Sequence, residues 1–285
     1  MVVALAIVAL LYLAAEAIAV AVFVDGVVQG SFWGILIGLV LVVGIVAALI
    51  VQIRKPEALL LRTVRAKVLE PNEEAELQAL VARVAAQADL PQPRVALIRS
   101  WAPNALTAAR KPETAVVAVT TELRRRLELN ELEAVVAHEL AHVANRDGPV
   151  MTFVSGPVMA ISAIWHSEDI RGKIVYISLF WVFIPVHVLS LMLLWTISRY
   201  REYAADRGSA LVTGAPQNLI SALLKIEGGA PHRSDLRGGL AVTAFCIVQR
   251  RSRWRRFELV MDHPPLKKRI DRLEELAREL GKAAA

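Results

Sequence analysis

Two long apolar runs at the N-terminus constrain this chain more than any other feature. Residues 2–24 (VVALAIVALLYLAAEAIAVAVFV) are apolar apart from Glu16, and residues 32–53 (FWGILIGLVLVVGIVAALIVQI) carry no charge at all. At 1.5 Å per residue each run reaches roughly 30 Å as a helix, the thickness of a bilayer's hydrocarbon core. The first run lacks the basic start of a secretion signal, and a second full-length run follows the turn DGVVQGS. A transmembrane hairpin is therefore expected. Composition agrees: 55% of the 285 residues are hydrophobic, against about 45–50% in ordinary soluble domains.

A third run, 149–165, is shorter and holds Pro149 and Pro157, while a fourth, 174–198, is long enough to span with tilt. The polar turn HSEDIRGK separates them. They read as a second hairpin, with a re-entrant or buried helix as the alternative for the third run. Four spans leave both termini and both long polar segments on one face. Arg54, Lys55, Arg62, Arg65, Lys67, Arg146, Arg199, Arg201 and Arg207 crowd that face. The opposite loops offer no basic residue in 25–31 and only Arg171 and Lys173 in 166–173. The positive-inside rule then places residues 54–148 and 199–285 in the cytoplasm, and it accounts for the net charge of +6 without nucleic acid. Glu16 and His187 lie within spans, where an ionisable group either marks a function or is satisfied inside the bundle. Gly34 and Gly38 form a GxxxG pair that permits close helix packing.

The polar segments read as mainly α with a small β-sheet. Leu77, Leu80, Val81 and Val84 recur at helical spacing in 73–88, after Pro71-Asn72. RVALI (94–98) and AVVAVT (115–120) read as strands, with 104–110 as a partner for the second. Asn130 and Glu133 form a cap and its capping-box partner for the helix LEAVVAHELAHVANR, which stops at Asp147-Gly148-Pro149. A terminal helix after Pro265 lines up Leu266, Ile270, Leu273, Leu276 and Leu280 for packing on the catalytic part.

The capped helix carries the chemistry. His138 and His142 stand one turn apart on one face, where two neutral imidazoles can point at one metal ion while Glu139 leans towards a metal-bound water. The plainer alternative is a pair of buried histidines bonded to backbone carbonyls. A single cysteine, Cys246, excludes a disulfide framework and a cysteine-built metal site, so any metal must be held by His, Asp and Glu. A third ligand is expected on a second element. SRYREYAADRGSA (198–210) continues the fourth run as a helix, with Glu202 and Asp206 four apart. Glu202 can ligate, and Asp206 can accept the N–H of a ligating histidine. The alternative is two solvated acids among arginines. His142 stands just before one run and Glu202 just after the next, so the two ends of one hairpin bring the ligands to the same membrane face.

Taken in order, these motifs resemble the HtpX-type family of membrane metalloproteases, HExxH gluzincins related to the zinc-dependent CAAX prenyl proteases. The likeness rests on PNALTA (103–108), HELAHVANRD (138–147), SRYREYAAD (198–206) and HPPLKKRI (263–270). It implies a four-helix transmembrane region plus a cytoplasmic zincin-like domain. One zinc ion per chain would sit on His138, His142 and Glu202, with Glu139 as the catalytic residue. Membrane or misfolded proteins would be the substrates, cleaved in protein quality control at the cytoplasmic face of a plasma membrane. The domains expected are a hairpin at 1–53, a catalytic part at 54–148, a second hairpin at 149–198 and a second catalytic part at 199–285.

The tetrahedral oxyanion of peptide hydrolysis needs a donor. His263 is the first candidate, before Arg269 and Tyr203; its alternative role is a histidine at a helix start. Asn104 and the strand from Ala105 form an edge on which an extended substrate can pair, or else a simple Asn turn. The basic stretch QRRSRWRRF (249–257) reads as a loop near an anionic leaflet or in solvent, and no nucleic-acid partner is expected. A prenyl-peptide processor would call for a larger chamber with more spans. A silent scaffold would have no use for Glu139, and a transporter would use Glu16 and His187. Two histidines and a carboxylate suit iron as well as zinc.

Overall fold

Residues 2–36, 38–40, 42–43, 61–62, 64–148, 150–151, 180–228 and 264–283 are described by the computed structural model. The chain divides into two compact units, one of residues 1–55 and 151–197, the other of residues 56–150 and 198–285.

In the first unit, helix α1 (Val2–Val28) leads through a turn at Gly30, φ 60°, into helical residues from Phe32. Gly26 lies against the backbone of Gly34, and Gly38 against Phe23, so closely that a Cβ on Gly26 or Gly38 would collide with main chain. Small residues are what allow two helix backbones to approach in this way. The side chains of Leu10, Leu13, Ile18, Val24, Val27 and Val28 are exposed. Judged on the described residues alone, no helix is long and apolar enough to cross a membrane. Much of the runs 32–53 and 149–165 lies outside those residues.

The second unit is built on a four-stranded sheet of order β1-β2-β4-β3. Strand β1 (Lys67–Val68) is antiparallel to β2 (Arg94–Ile98), β2 is parallel to β4 (Val116–Thr120), and β3 (Ala105–Ala108) is antiparallel to β4. Alternation along β4 splits its side chains between two cores. Val117 and Val119 pack with Leu77, Leu80 and Val84 of α2 (Ala75–Gln87) and with Val135 and Val136 of α4 (Leu129–Ala144). Val116 and Ala118 turn to the other face, against Leu61, Val64, Ile98 and Leu106. Between β4 and α4 lies the short helix α3 (Thr121–Arg126), capped by Thr120 Oγ1, which accepts from Leu123 N at 3.2 Å.

Helix α4 opens two residues earlier than its sequence suggests. Glu128, not Asn130, is the cap, and its N–H donates to Glu131 Oε2 at 2.9 Å. Tertiary contacts select that acid. Glu131 is buried, and Ser221 Oγ (2.6 Å) and Lys225 Nζ (2.8 Å) of α6 (Pro216–Gly228) donate to it. Glu133 instead faces outward to Arg83 at 3.0 Å. Helix α5 (Phe180–Thr213) continues without a break through the segment bearing Glu202 and Asp206. Gly208 of α5 packs on Ala141 of α4 so tightly that a Cβ there would lie 2.7 Å from Ala141 Cβ. Helix α7 (Leu266–Ala283) buries Leu273 in the core, with Leu266 and Leu276 beside it.

Candidate metal centre

The site lies in the second unit, where α4, α5 and α7 meet. The i, i+4 spacing sets the rings of His138 and His142 side by side, their centroids 4.9 Å apart and their planes 86° from parallel. The close contact at Gly208 lets α5 approach near enough to deliver Glu202. His138 Nε2 lies 3.6 Å from Glu202 Oε2, and His142 Nε2 lies 3.5 Å from Glu202 Oε1. One ligand atom from each of His138, His142 and Glu202 lies within 4.8 Å of the others. This group can hold a metal ion.

Each imidazole has a carboxylate behind it, facing its other nitrogen. His138 Nδ1 is 3.1 Å from Asp206 Oδ1, and His142 Nδ1 is 2.7 Å from Asp147 Oδ2. A carboxylate on Nδ1 fixes the tautomer that leaves the Nε2 lone pair for a metal. Each carboxylate is in turn held by a buried arginine. Arg269 of α7 donates to both oxygens of Asp206, from Nε at 2.8 Å and Nη2 at 2.6 Å, and its Nη1 lies 3.3 Å from Glu202. Arg201 Nε lies 2.9 Å from Asp147 Oδ1.

Whether these residues fit a metal is tested by what they leave unsatisfied. His138 is 1% exposed, yet its Nε2 makes no hydrogen bond among the described residues. A buried polar atom without a partner is costly, and a metal would relieve it. Charge points the same way. Glu139, Asp147, Glu202 and Asp206 are all buried, and among the described residues Arg201 and Arg269 are the buried cations that answer them. Neutral imidazoles, which metal ligation requires, would leave an excess of negative charge for a divalent cation to balance; without one, the raised pKa of His142 answers part of it.

Burial and neighbours shift the ionisation of these groups. Burial alone would lower the His142 imidazole, but Asp147 and Glu202 outweigh it and raise its pKa to about 9. Burial would raise Asp206, and Arg269 and the His138 contact bring it below its ordinary range. Asp147 is likewise held low by His142 and Arg201 against the effect of burial. Glu139, 2% exposed, goes the other way: burial pushes its carboxyl up against the pull of His142, His138 and Thr107. A carboxylate raised in this way is suited to taking and returning a proton.

The structure thus brings together His138, Glu139, His142, Glu202 and Asp206. His263 lies outside the described residues. Arg269, the second candidate for an oxyanion donor, has its guanidinium engaged by Asp206 and Glu202. The ring of Tyr203 lies under Arg272 at 3.6 Å. Asn104 is buried; its Oδ1 accepts from Ala105 N at 3.0 Å, and its own N–H donates to Thr120 Oγ1 at 2.9 Å. It therefore shapes the entry to β3, the edge strand. Sequence reasoning missed Asp147 and Arg201, reading the first as a helix stop and the second as a topology charge. The signal for Asp147 was its place directly after the histidine helix.

Residues 71–277 match peptidase family M48. The chain belongs to that family. Among M48 relatives, a Protease HtpX homolog of Moorella thermoacetica is 41% identical over 266 residues, 88% of this chain and 86% of that protein. Protease HtpX homolog 1 of Streptomyces coelicolor is 38% identical over 284 residues, 93% of each chain. The fold is shared with the crystal structure of S. mikatae Ste24p, at a TM-score of 0.51 and 18% identity, over 93% of this chain and 64% of that one. Membership of M48 makes the chain a metalloprotease, a hydrolase of peptide bonds, and the His138–His142–Glu202 group gives it a place for the metal.

Proposed function

We propose that this chain is a membrane-integrated zinc endopeptidase that cleaves membrane or misfolded proteins at the cytoplasmic face. The observation that carries the reading is the convergence of His138 Nε2 and His142 Nε2 on the two oxygens of Glu202. Zinc held by these three residues would supply an acidified water and a polarised carbonyl. Glu139 takes the proton from the attacking water and delivers it to the leaving amine. Asp206 holds His138 in the ligating tautomer, and Arg269 keeps Asp206 ionised. His263 is retained as the donor to the oxyanion. The edge strand β3 receives an extended substrate by backbone pairing.

The apolar surface of α1 supports a membrane setting. Leu10, Leu13, Ile18, Val24, Val27 and Val28 are exposed along one 27-residue helix, and soluble proteins rarely leave large apolar surfaces in water. The Lys and Arg distribution then favours a cytoplasmic catalytic unit. The partners are the lipid bilayer and unfolded or membrane-embedded polypeptides, with no part for nucleic acid.

The test uses full-length protein in detergent and an unfolded membrane protein as substrate. Wild type and Glu139→Gln are stripped by chelator, reloaded with zinc, and assayed for cleavage and bound metal. Zinc-restored cleavage in wild type, lost by about 100-fold or more in a variant that still binds metal, is the expected result. Metal bound without cleavage in either protein points to a binding role. No metal in either would overturn the site.

A further inference from the structure

We infer that Asp147 and Arg201 form a positioning pair that fixes which ring nitrogen His142 turns towards the metal; the inference rests on the metalloprotease reading above. Asp147 uses both oxygens. Oδ2 takes His142 Nδ1 at 2.7 Å, and Oδ1 faces Arg201 Nε at 2.9 Å. The two residues are 4% and 6% exposed, so neither contact is a surface pairing screened by solvent.

The local backbone is shaped to place Asp147. Helix α4 ends at Ala144, and Arg146 turns the chain back through a left-handed conformation, φ 54°. A residue with a side chain adopts that region only at a cost. The next residue but one, Gly148, lies against the Ala109 carbonyl at the end of β3, where any Cβ would collide with it. This turn returns the Asp147 carboxylate to a ring five positions earlier, beyond the reach of helical periodicity. Arg201 stands one residue before the ligand Glu202 on α5. The helix turn that brings the third ligand therefore also brings the cation that clamps the carboxylate behind the second. His138 has a related arrangement, with Asp206 facing its Nδ1 and Arg269 hydrogen-bonded to both Asp206 oxygens, so each ring faces a carboxylate paired with a buried arginine.

The experiment compares full-length wild type in detergent with Asp147→Asn, Arg201→Gln, the milder Arg201→Lys, and the double variant Asp147→Asn/Arg201→Gln. Glu131→Gln serves as the control, because Glu131 is a buried ion-paired residue at the far end of the same helix. Each protein is loaded with cobalt, its affinity is measured by chelator competition, its visible absorption is recorded, and its thermal midpoint is determined. Asp147→Asn and Arg201→Gln should each weaken cobalt binding about 10- to 100-fold and shift the cobalt absorption. The double variant should be little worse than either single one, since the pair acts as a unit. Arg201→Lys should lie between, and Glu131→Gln should change only the thermal midpoint. If the Asp147 and Arg201 variants behave like Glu131→Gln, losing stability but neither affinity nor spectrum, the inference is overturned. Wild type that takes up no cobalt would sink the metal centre itself and this inference with it, an outcome distinct from the former.

Discussion

Asp206 Oδ1 serves two partners at once, the His138 ring at 3.1 Å and Arg269 Nη2 at 2.6 Å. Replacing it with the isosteric amide keeps the shape but removes the charge that holds the imidazole. Asp206→Asn should weaken metal binding about 10- to 100-fold while leaving far-ultraviolet dichroism unchanged, as chelator competition would show. Much of the site at this scale was legible in the sequence. His138 with His142, and Glu202 with Asp206, each share a helix face through the same i, i+4 rule, so spacing alone pairs them. Asp147 was not legible, because its place depends on the left-handed turn at Arg146 and not on any period. Arg201 was hidden for another reason. Beside an apolar run a basic residue is ordinarily a topology signal, and nothing in the sequence marks one that is 6% exposed beneath a carboxylate.

Between elements, the crossing of α4 and α5 is set by Gly208, whose missing side chain admits Ala141. Gly208→Val should force the helices apart, costing about 1–3 kcal/mol and lowering bound metal, because Asp206 lies two residues before it and His142 one after Ala141. Thermal unfolding and metal counting on the same sample would check both effects. The contact between α4 and α6 gives a pH signature. Burial alone would raise Glu131, but Lys225, Ser221 and the Glu128 N–H outweigh it and hold its pKa below the ordinary glutamate value. A group lowered in the folded state contributes stability above its unfolded pKa, near 4.3, and loses that contribution as pH falls through the lower folded value. The thermal midpoint should therefore drop on acidification below about pH 4.3, and Glu131→Gln should flatten the drop. The strands β2 and β4 were legible as short β-branched or apolar runs bounded by turns. The two-residue β1 was too short to leave a pattern, and the true cap of α4 was hidden because a residue ninety positions away chooses which acid reciprocates.

For the whole molecule, the arrangement about the bilayer is open to chemical labelling. In a Cys246→Ser background, Gln29→Cys should react with a membrane-impermeant maleimide added to intact cells, and Glu274→Cys should react only after permeabilisation. The reverse pattern would turn the catalytic unit to the outside. Order of synthesis adds a last consequence. The ligands on α4 are made first, Glu202 follows a long apolar stretch later, and Arg269, which faces both Asp206 and Glu202, comes later still. A nascent chain that has only reached α5 holds its acids in place of a finished centre, with one of its two buried counter-cations not yet made. The buried guanidinium that engages Asp206 and Glu202 is thus the last part of the centre to be made, and its surroundings are complete only once the helix bearing Arg269 has packed.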